Sequence, residues 1–259
     1  MNRVKPNGST EKINMQEMLP DVTQTEAQRL EEAFKNRANR YKKGTKKAVD
    51  QSYLQKVYGA DKKAPKAITV EAAKAQFWQI ANAQTQQIKG LDYQKTPENK
   101  AIIAQLFTHF TNPEQRKGIA LVGRYGSGKS RLMEIFSQFL KPYANLNSFH
   151  VVDCNYVVDG FNEHGDSYLN RFNTGHWCFD DLGTEELGVH YAQREEVFKK
   201  ILKKRYLLWQ RGYITHFTTN LNPDQLKKRY GPRVADRLDE MVNTLILGRD
   251  ERSTNFRKI

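Results

Sequence analysis

The run GRYGSGKS, Gly123 to Ser130, fits the pattern GxxxxGK[ST]. Gly123, Gly126 and Gly128 let a backbone curl until successive N–H groups face a phosphate, Lys129 would reach the β- and γ-phosphates, and Ser130 would offer its hydroxyl to Mg²⁺. Arg124, Tyr125 and Ser127 within the run, and Arg131 beside it, are the other residues placed to touch a bound nucleotide. A second run, CFDDLGTE (Cys178 to Glu185), ends an apolar stretch in two aspartates. Asp180 would hold Mg²⁺ through its water shell, and Asp181 would accept a proton from an attacking water or orient it. An acidic pair after a strand is by itself as good a helix cap or turn; downstream of a phosphate loop the metal and water site is preferred. In HFTTN, Asn220 follows an apolar strand, where its amide would hold the attacking water or sense the γ-phosphate; the competing reading is a turn-forming Asn in TNLNPD. In YGPRVADRLDEM, Arg233 and Arg237 are four apart and share a helix face opposite Val234, Leu238 and Met241. With Asp236, Asp239 and Glu240 so near, these arginines also suit surface ion pairs.

Such groups act together only if a scaffold brings them to one place. Short apolar runs recur at Ile119–Val122, Phe149–Val152, Trp177–Phe179, Ile214–Thr218 and Thr244–Leu247, with helical stretches between them. Buried strands alternating with helices predict an α/β fold with a parallel five-stranded sheet flanked by helices. The phosphate loop, the Asp180–Asp181 pair and Asn220 all sit just past the carboxyl ends of such strands, where open α/β sheets bind ligands. The first hundred residues read differently. Residues 1–22 are polar and aperiodic, a flexible tail. Thr23 and Glu26 have capping-box spacing ahead of a helix to about Tyr41, Thr69 would cap a second helix ended by Gly90, and Thr96 with Pro97 starts a third.

Lys and Arg total 42 against 29 Asp and Glu, a net charge of +13, so a polyanion is the first partner to expect. Eleven basic residues between Lys35 and Lys66 face only Asp50 and Asp61, which makes that segment either a solvated linker or a phosphate-binding surface, with Tyr41, Tyr53 and Tyr58 near it as stacking candidates. Cys154 and Cys178 have neither CxxC spacing nor a histidine cluster nearby, which argues against zinc or a disulfide framework and suits a reducing cytoplasm. No apolar run approaches a membrane span and the polar start has no signal-peptide core, so a cytoplasmic protein without membrane contact is expected.

In this order and spacing, GRYGSGKS, CFDDLGTE, THFTTNLNPDQL and YGPRVADRLDEM resemble the AAA+ ATPases of the DnaC/IstB type, and more closely the DnaC-like replicative helicase loaders. The resemblance runs from about residue 100 to the C-terminus. It implies a P-loop AAA+ core over 96–259 with the P-loop strand central, preceded by a small helical basic N-terminal region over 23–95. It implies hydrolysis of ATP with Mg²⁺, Asn220 as sensor 1, and Arg237 as an arginine finger acting on a neighbouring subunit's nucleotide with Arg233 beside it. Arg257, or else Arg252, would be the sensor 2 arginine. The implied partners are a replicative hexameric DNA helicase gripped by the N-terminal region, single-stranded DNA, and further copies of the chain in a ring or spiral. An IstB-like transposition helper that remodels duplex DNA shares the same core, and a nucleic-acid adaptor that holds nucleotide without turnover is a third reading.

Overall fold

The computed structural model describes residues 2–4, 10–12, 70–112, 115–143, 147–191 and 193–248. Within the segment read as a tail, β1 (Asn2–Val4) and β2 (Thr10–Lys12) pair antiparallel. The helix expected over Thr23–Tyr41, the basic run from Lys35 to Lys66, the capping Thr69, and Arg252 and Arg257 all lie outside the described residues.

Helix α1 (Val70–Lys89) buries Ala73, Phe77, Trp78 and Ala81, a helical spacing that makes one apolar face. Helix α2 (Pro97–Thr111) starts where the sequence predicts: the Thr96 side chain accepts from the Asn99 N–H, and Pro97 occupies the first turn, where no donor is needed. The rest alternates. Strand β3 (Gly118–Gly123) leads to α3 (Lys129–Leu140), β4 (His150–Asp153) to α4 (Cys154–His164) and the short α5 (Asp166–Leu169), and β5 (Trp177–Asp180) to the small antiparallel hairpin β6 (Gly188–His190) and β7 (Gln193–Glu195). Then follow α6 (Val197–Trp209), β8 (Thr215–Thr219), α7 (Pro223–Tyr230), α8 (Pro232–Met241) and β9 (Val242–Leu247).

The five strands expected from the apolar runs form one sheet in the order β4-β5-β8-β3-β9, with every pairing parallel. The fold class read from the sequence is therefore the one observed. One detail is corrected. The P-loop strand β3 is not central but second from an edge, because β9 pairs along its whole outer side from Gly118↔Val242 to Gly123↔Leu247, and β8 holds the centre.

Side chains alternate between the sheet's two faces, as the pleat requires. Ile119, Leu121 and Cys178 join one core with α1, α2 and α3, while Ala120, Phe179 and Phe217 join another with α4, α6, α7 and α8. Phe77 of α1 lies 4.9 Å from Phe136 and 5.9 Å from Phe139 of α3, ring centre to ring centre. The last helix before position 95 thus shares one core with the helix that follows the phosphate loop. Arg205, wholly buried in α6, uses its fork to tie the second core's margin: it donates to Thr215 Oγ1 and to the carbonyls of Phe172, Gly175 and Ile214. Burial pushes its pKa down to about 10, and the satisfied donors keep so isolated a cation tolerable. Among the described residues no helix is long and apolar enough to cross a membrane.

Candidate functional site

The phosphate loop has the shape its glycines allow. Gly126 and Gly128 have φ of 78° and 90°, in the left-handed region, which turns the chain sharply between β3 and α3. Gly128 is the N-cap of α3 and brings no side chain, so the helix's first N–H groups point outward, a ready anion site at the positive end of the dipole. Lys129 is buried at 4% exposure, and its ammonium donates to the carbonyls of Gly123 and Arg124 at 2.9 and 3.0 Å and to Asn220 Oδ1 at 2.7 Å. Two predicted groups, 91 residues apart, are thereby in contact.

Beside this lies the acidic group. Asp180 accepts hydrogen bonds from the side chains of Thr218 and Ser130; burial pushes its pKa up and those two bonds work against the rise. Asp181 takes a left-handed φ of 54°, and its N–H donates to Thr218 Oγ1 at 2.8 Å. Carboxylate oxygens of Asp153, Asp180 and Asp181 lie within 4.8 Å of one another, with Asp153 also capping α4 through the Asn155 and Tyr156 N–H groups. A serine hydroxyl bonded to one of several clustered carboxylates is a hard-oxygen donor set, and it suits Mg²⁺. The fit to a triphosphate shows in two buried polar atoms, Ser127 Oγ and Asn220 Nδ2, that have no partner among the described residues.

Tyr125, Gly126, Gly128, Lys129, Ser130, Arg131, Asp181 and Asn220 line one cavity of about 240 Å³. Arg131 is held there by Glu134 at 2.6 Å. Gly123 and Arg124 take part through their carbonyls, Asp180 through Ser130. Arg233 and Arg237 are not brought in. They lie on α8, Arg233 exposed and Arg237 with its guanidinium 4.5 Å from the ring centre of Tyr206, whose hydroxyl donates to Glu240.

Sequence reasoning missed the opposite wall. Thr85, Ile88 and Lys89 from the end of α1, and Leu91, Asp92, Tyr93 and Gln94 after it, complete the cavity. Ile88 is 61% exposed and Leu91 45%, unusual for large apolar side chains, and both flank the phosphate loop. An apolar wall with interspersed polar groups suits a planar base better than a phosphate. Nothing in the spelling of residues 85–94 signals this; only the packing of α1 on α3 brings them here. Glu134 was within reach of sequence, since it stands four residues after Ser130 on the same helix face.

No protein-family model matches the sequence, and no curated protein matches it. Among solved structures, a crystal structure of the DnaC helicase loader is similar at 22% identity and a TM-score of 0.47, over 66% of this chain and 98% of that one. An AMPPCP-bound DnaA from Aquifex aeolicus is similar at 17% identity and 0.44, and a DNA replication initiation factor at 12% and 0.46. The match spans 49% of each of these two chains and 61% and 62% of this one.

Proposed function

We propose that this chain is an ATPase of the AAA+ type that uses ATP as an assembly switch to load a replicative helicase onto single-stranded DNA. The observation that carries the ATPase part is the convergence of Lys129, Ser130, Asp180, Asp181 and Asn220 at the carboxyl ends of three neighbouring strands. On this reading the loop N–H groups and Lys129 hold the β- and γ-phosphates, and Ile88, Leu91 and Tyr93 take the base. Ser130 and Asp180 would hold Mg²⁺, whose charge neutralises the phosphate oxygens. Asp181 orients the attacking water and takes its proton, and the free Asn220 amide donates to that water or to the γ-phosphate. Arg237 is the arginine a chain offers to its neighbour's nucleotide, with Arg233 beside it, and Arg257 is the sensor 2 candidate.

The loader part rests on the resemblance of the TTNL and YGPRVADRLDEM segments. A polyanion partner is supported by the net charge of +13. It is supported also by the exposed side of α6, with Lys199, Lys203 and Lys204, and by Tyr191, 90% exposed at the tip of the β6–β7 hairpin, with the exposed Arg194 on β7 of the same hairpin. Exposed aromatics among cations are what single strands stack on.

The test joins three measurements on the full chain: phosphate release from Mg-ATP, affinity for single-stranded and duplex DNA across salt, and capture of a purified hexameric replicative helicase with and without ATP. Each phosphate neutralised on a single strand adds about −0.7 to the slope of log K against log salt. A flat salt response removes the DNA part, a preference for duplex without helicase capture moves the reading to a transposition helper, and no ATP turnover leaves a nucleotide-holding adaptor.

A further inference from the structure

Two glutamates end the Asp181 loop, and they differ sharply. Glu186 is exposed, whereas Glu185 is 2% exposed with its side chain sealed. A buried carboxylate is costly unless its lone pairs are met, and here the two oxygens are met from two sides. Oε2 accepts from the Gly183 N–H at 2.7 Å. Oε1 accepts from Arg229 Nε at 3.2 Å, from Arg229 Nη2 at 3.1 Å, and from the Tyr230 hydroxyl. Arg229 also donates to the Glu185 carbonyl. Burial and the facing Glu185 charge push the Tyr230 phenol well up, so it remains a donor at any ordinary pH.

The two sides are different parts of the machine. Gly183 belongs to the turn in which Asp181 is held: the Thr184 N–H and hydroxyl both donate to the Asp181 carbonyl, and the Leu182 N–H donates to the Thr218 carbonyl. Arg229 and Tyr230 end α7, and after the single residue Gly231, Pro232 opens α8, the helix that carries Arg233 and Arg237. Tyr230 is fully buried, so this joint has no slack on its inner side.

We propose that Glu185 is a positioning residue: its bridge from Gly183 to Arg229 and Tyr230 fixes the Asp181 loop against the α7–α8 joint, and so sets the geometry for hydrolysis without touching nucleotide. The inference rests on the ATPase reading above. It makes a chemical demand that glutamine cannot meet. The Gly183 N–H and the Arg229 guanidinium can only donate, so both Glu185 oxygens must accept; the amide of Glu185→Gln turns its NH₂ toward Gly183 or toward Arg229, and whichever way it turns one of those two contacts breaks.

The experiment measures ATP affinity and single-turnover hydrolysis for E185Q, R229M, Y230F and the E185Q/R229M double variant, at a temperature where thermal melts show each folded. In E185Q, hydrolysis should fall about 10- to 100-fold, the scale of a displacement near 1 Å at a reacting group, while ATP affinity stays within about threefold of wild type. Y230F, which keeps the ring and loses one donor, should fall less and in the same direction. The double variant should be no slower than E185Q, because both changes cut one bridge. Should E185Q fail to fold, R229M and Y230F decide: wild-type turnover in both overturns the proposal. So does wild-type turnover in E185Q, a loss of ATP affinity matching the loss of rate, or a double variant whose losses multiply. An inactive wild type removes the ATPase reading and this inference together, whereas an active wild type with an equally active E185Q removes the inference alone.

Discussion

Asn220 offers a test in which binding and hydrolysis should move apart. An ammonium has three protons, and those of Lys129 have acceptors at Gly123, Arg124 and Asn220, the last at the shortest distance, 2.7 Å. A phosphate oxygen arriving at Lys129 must displace one of them. A hydrogen bond to a charged group is worth about 1.5–3 kcal/mol net, so a competing acceptor on the lysine taxes nucleotide binding. Asn220→Ala removes that competitor. If Asn220 is the contact displaced, ATP should bind as tightly as to wild type or up to about tenfold tighter, tenfold being about 1.4 kcal/mol. Hydrolysis should change in the opposite sense. Asn220 Nδ2 is buried with no acceptor among the described residues, and losing a preorganised donor of that kind costs about 10²–10³ in turnover. Asn220→Asp sharpens the contrast, because a carboxylate would hold Lys129 more firmly than an amide oxygen and should weaken ATP binding. Titration with a fluorescent ATP analogue, followed by phosphate release at saturating ATP, gives both quantities. Parallel loss of affinity and turnover in Asn220→Ala, or an Asp variant that binds as tightly as wild type, would refute the competition argument.

Lys129→Ala should lose tight ATP binding, since it removes the ammonium aimed at the terminal phosphates, and Asp181→Asn should bind ATP yet release phosphate slowly; wild-type turnover in Asp181→Asn would show that another group orients the water. Arg237→Ala should lose on the order of 10³ in turnover if the arginine serves a neighbour, and mixing it with Lys129→Ala should restore part of the rate, because the Lys129→Ala chain still supplies Arg237; a surface ion-pair residue would instead cost at most about 1 kcal/mol of stability and leave the rate alone. Acid should destabilise the fold through buried histidines. Burial lowers the pKa of His109 to about 4 and that of His216 well below its ordinary 6.5, with the neighbouring His109, His176 and Arg205 charges adding to the effect on His216. Both stay neutral when folded while the unfolded chain takes up protons below about pH 6.5, so each removes up to about 1.4 kcal/mol per pH unit between that point and its folded pKa. Urea midpoints of wild type and His109→Gln at pH 7.5 and 5.5 check this, and an unchanged pH slope in the variant would contradict it.

What the sequence makes legible and what it hides divide along a physical line. The phosphate loop, the aspartates and Asn220 are readable because their chemistry depends on local spacing and on ending a strand, and both are written in consecutive residues. The cavity wall from Thr85 to Gln94 is not, because those residues become a wall only when Phe77 packs among Phe136 and Phe139. Arg205 hides in a basic run, KKILKKRY, whose other cations are exposed, and Glu185 hides beside an exposed twin; burial is a property of the fold's far side, not of the residue type. The central strand is hidden for a related reason, and the P-loop strand expected there came from the resemblance alone. β8 reads THFTT, less apolar than β3, yet it is the central strand and all five of its residues are buried. Each of its polar side chains has a fixed partner, Thr215 Oγ1 in Arg205, His216 Nδ1 in the Ile119 N–H, Thr218 Oγ1 in Asp180 and the Asp181 N–H, and Thr219 Oγ1 in the Leu182 carbonyl, while His216 Nε2 is left without one among the described residues. A polar strand can sit at the centre when its side chains replace lost water with fixed partners, and here two of the four are the means by which the acidic loop is held. The polarity that lowers β8 as a core candidate is the same feature that fastens Asp180, Asp181 and Leu182 to the strand carrying Asn220.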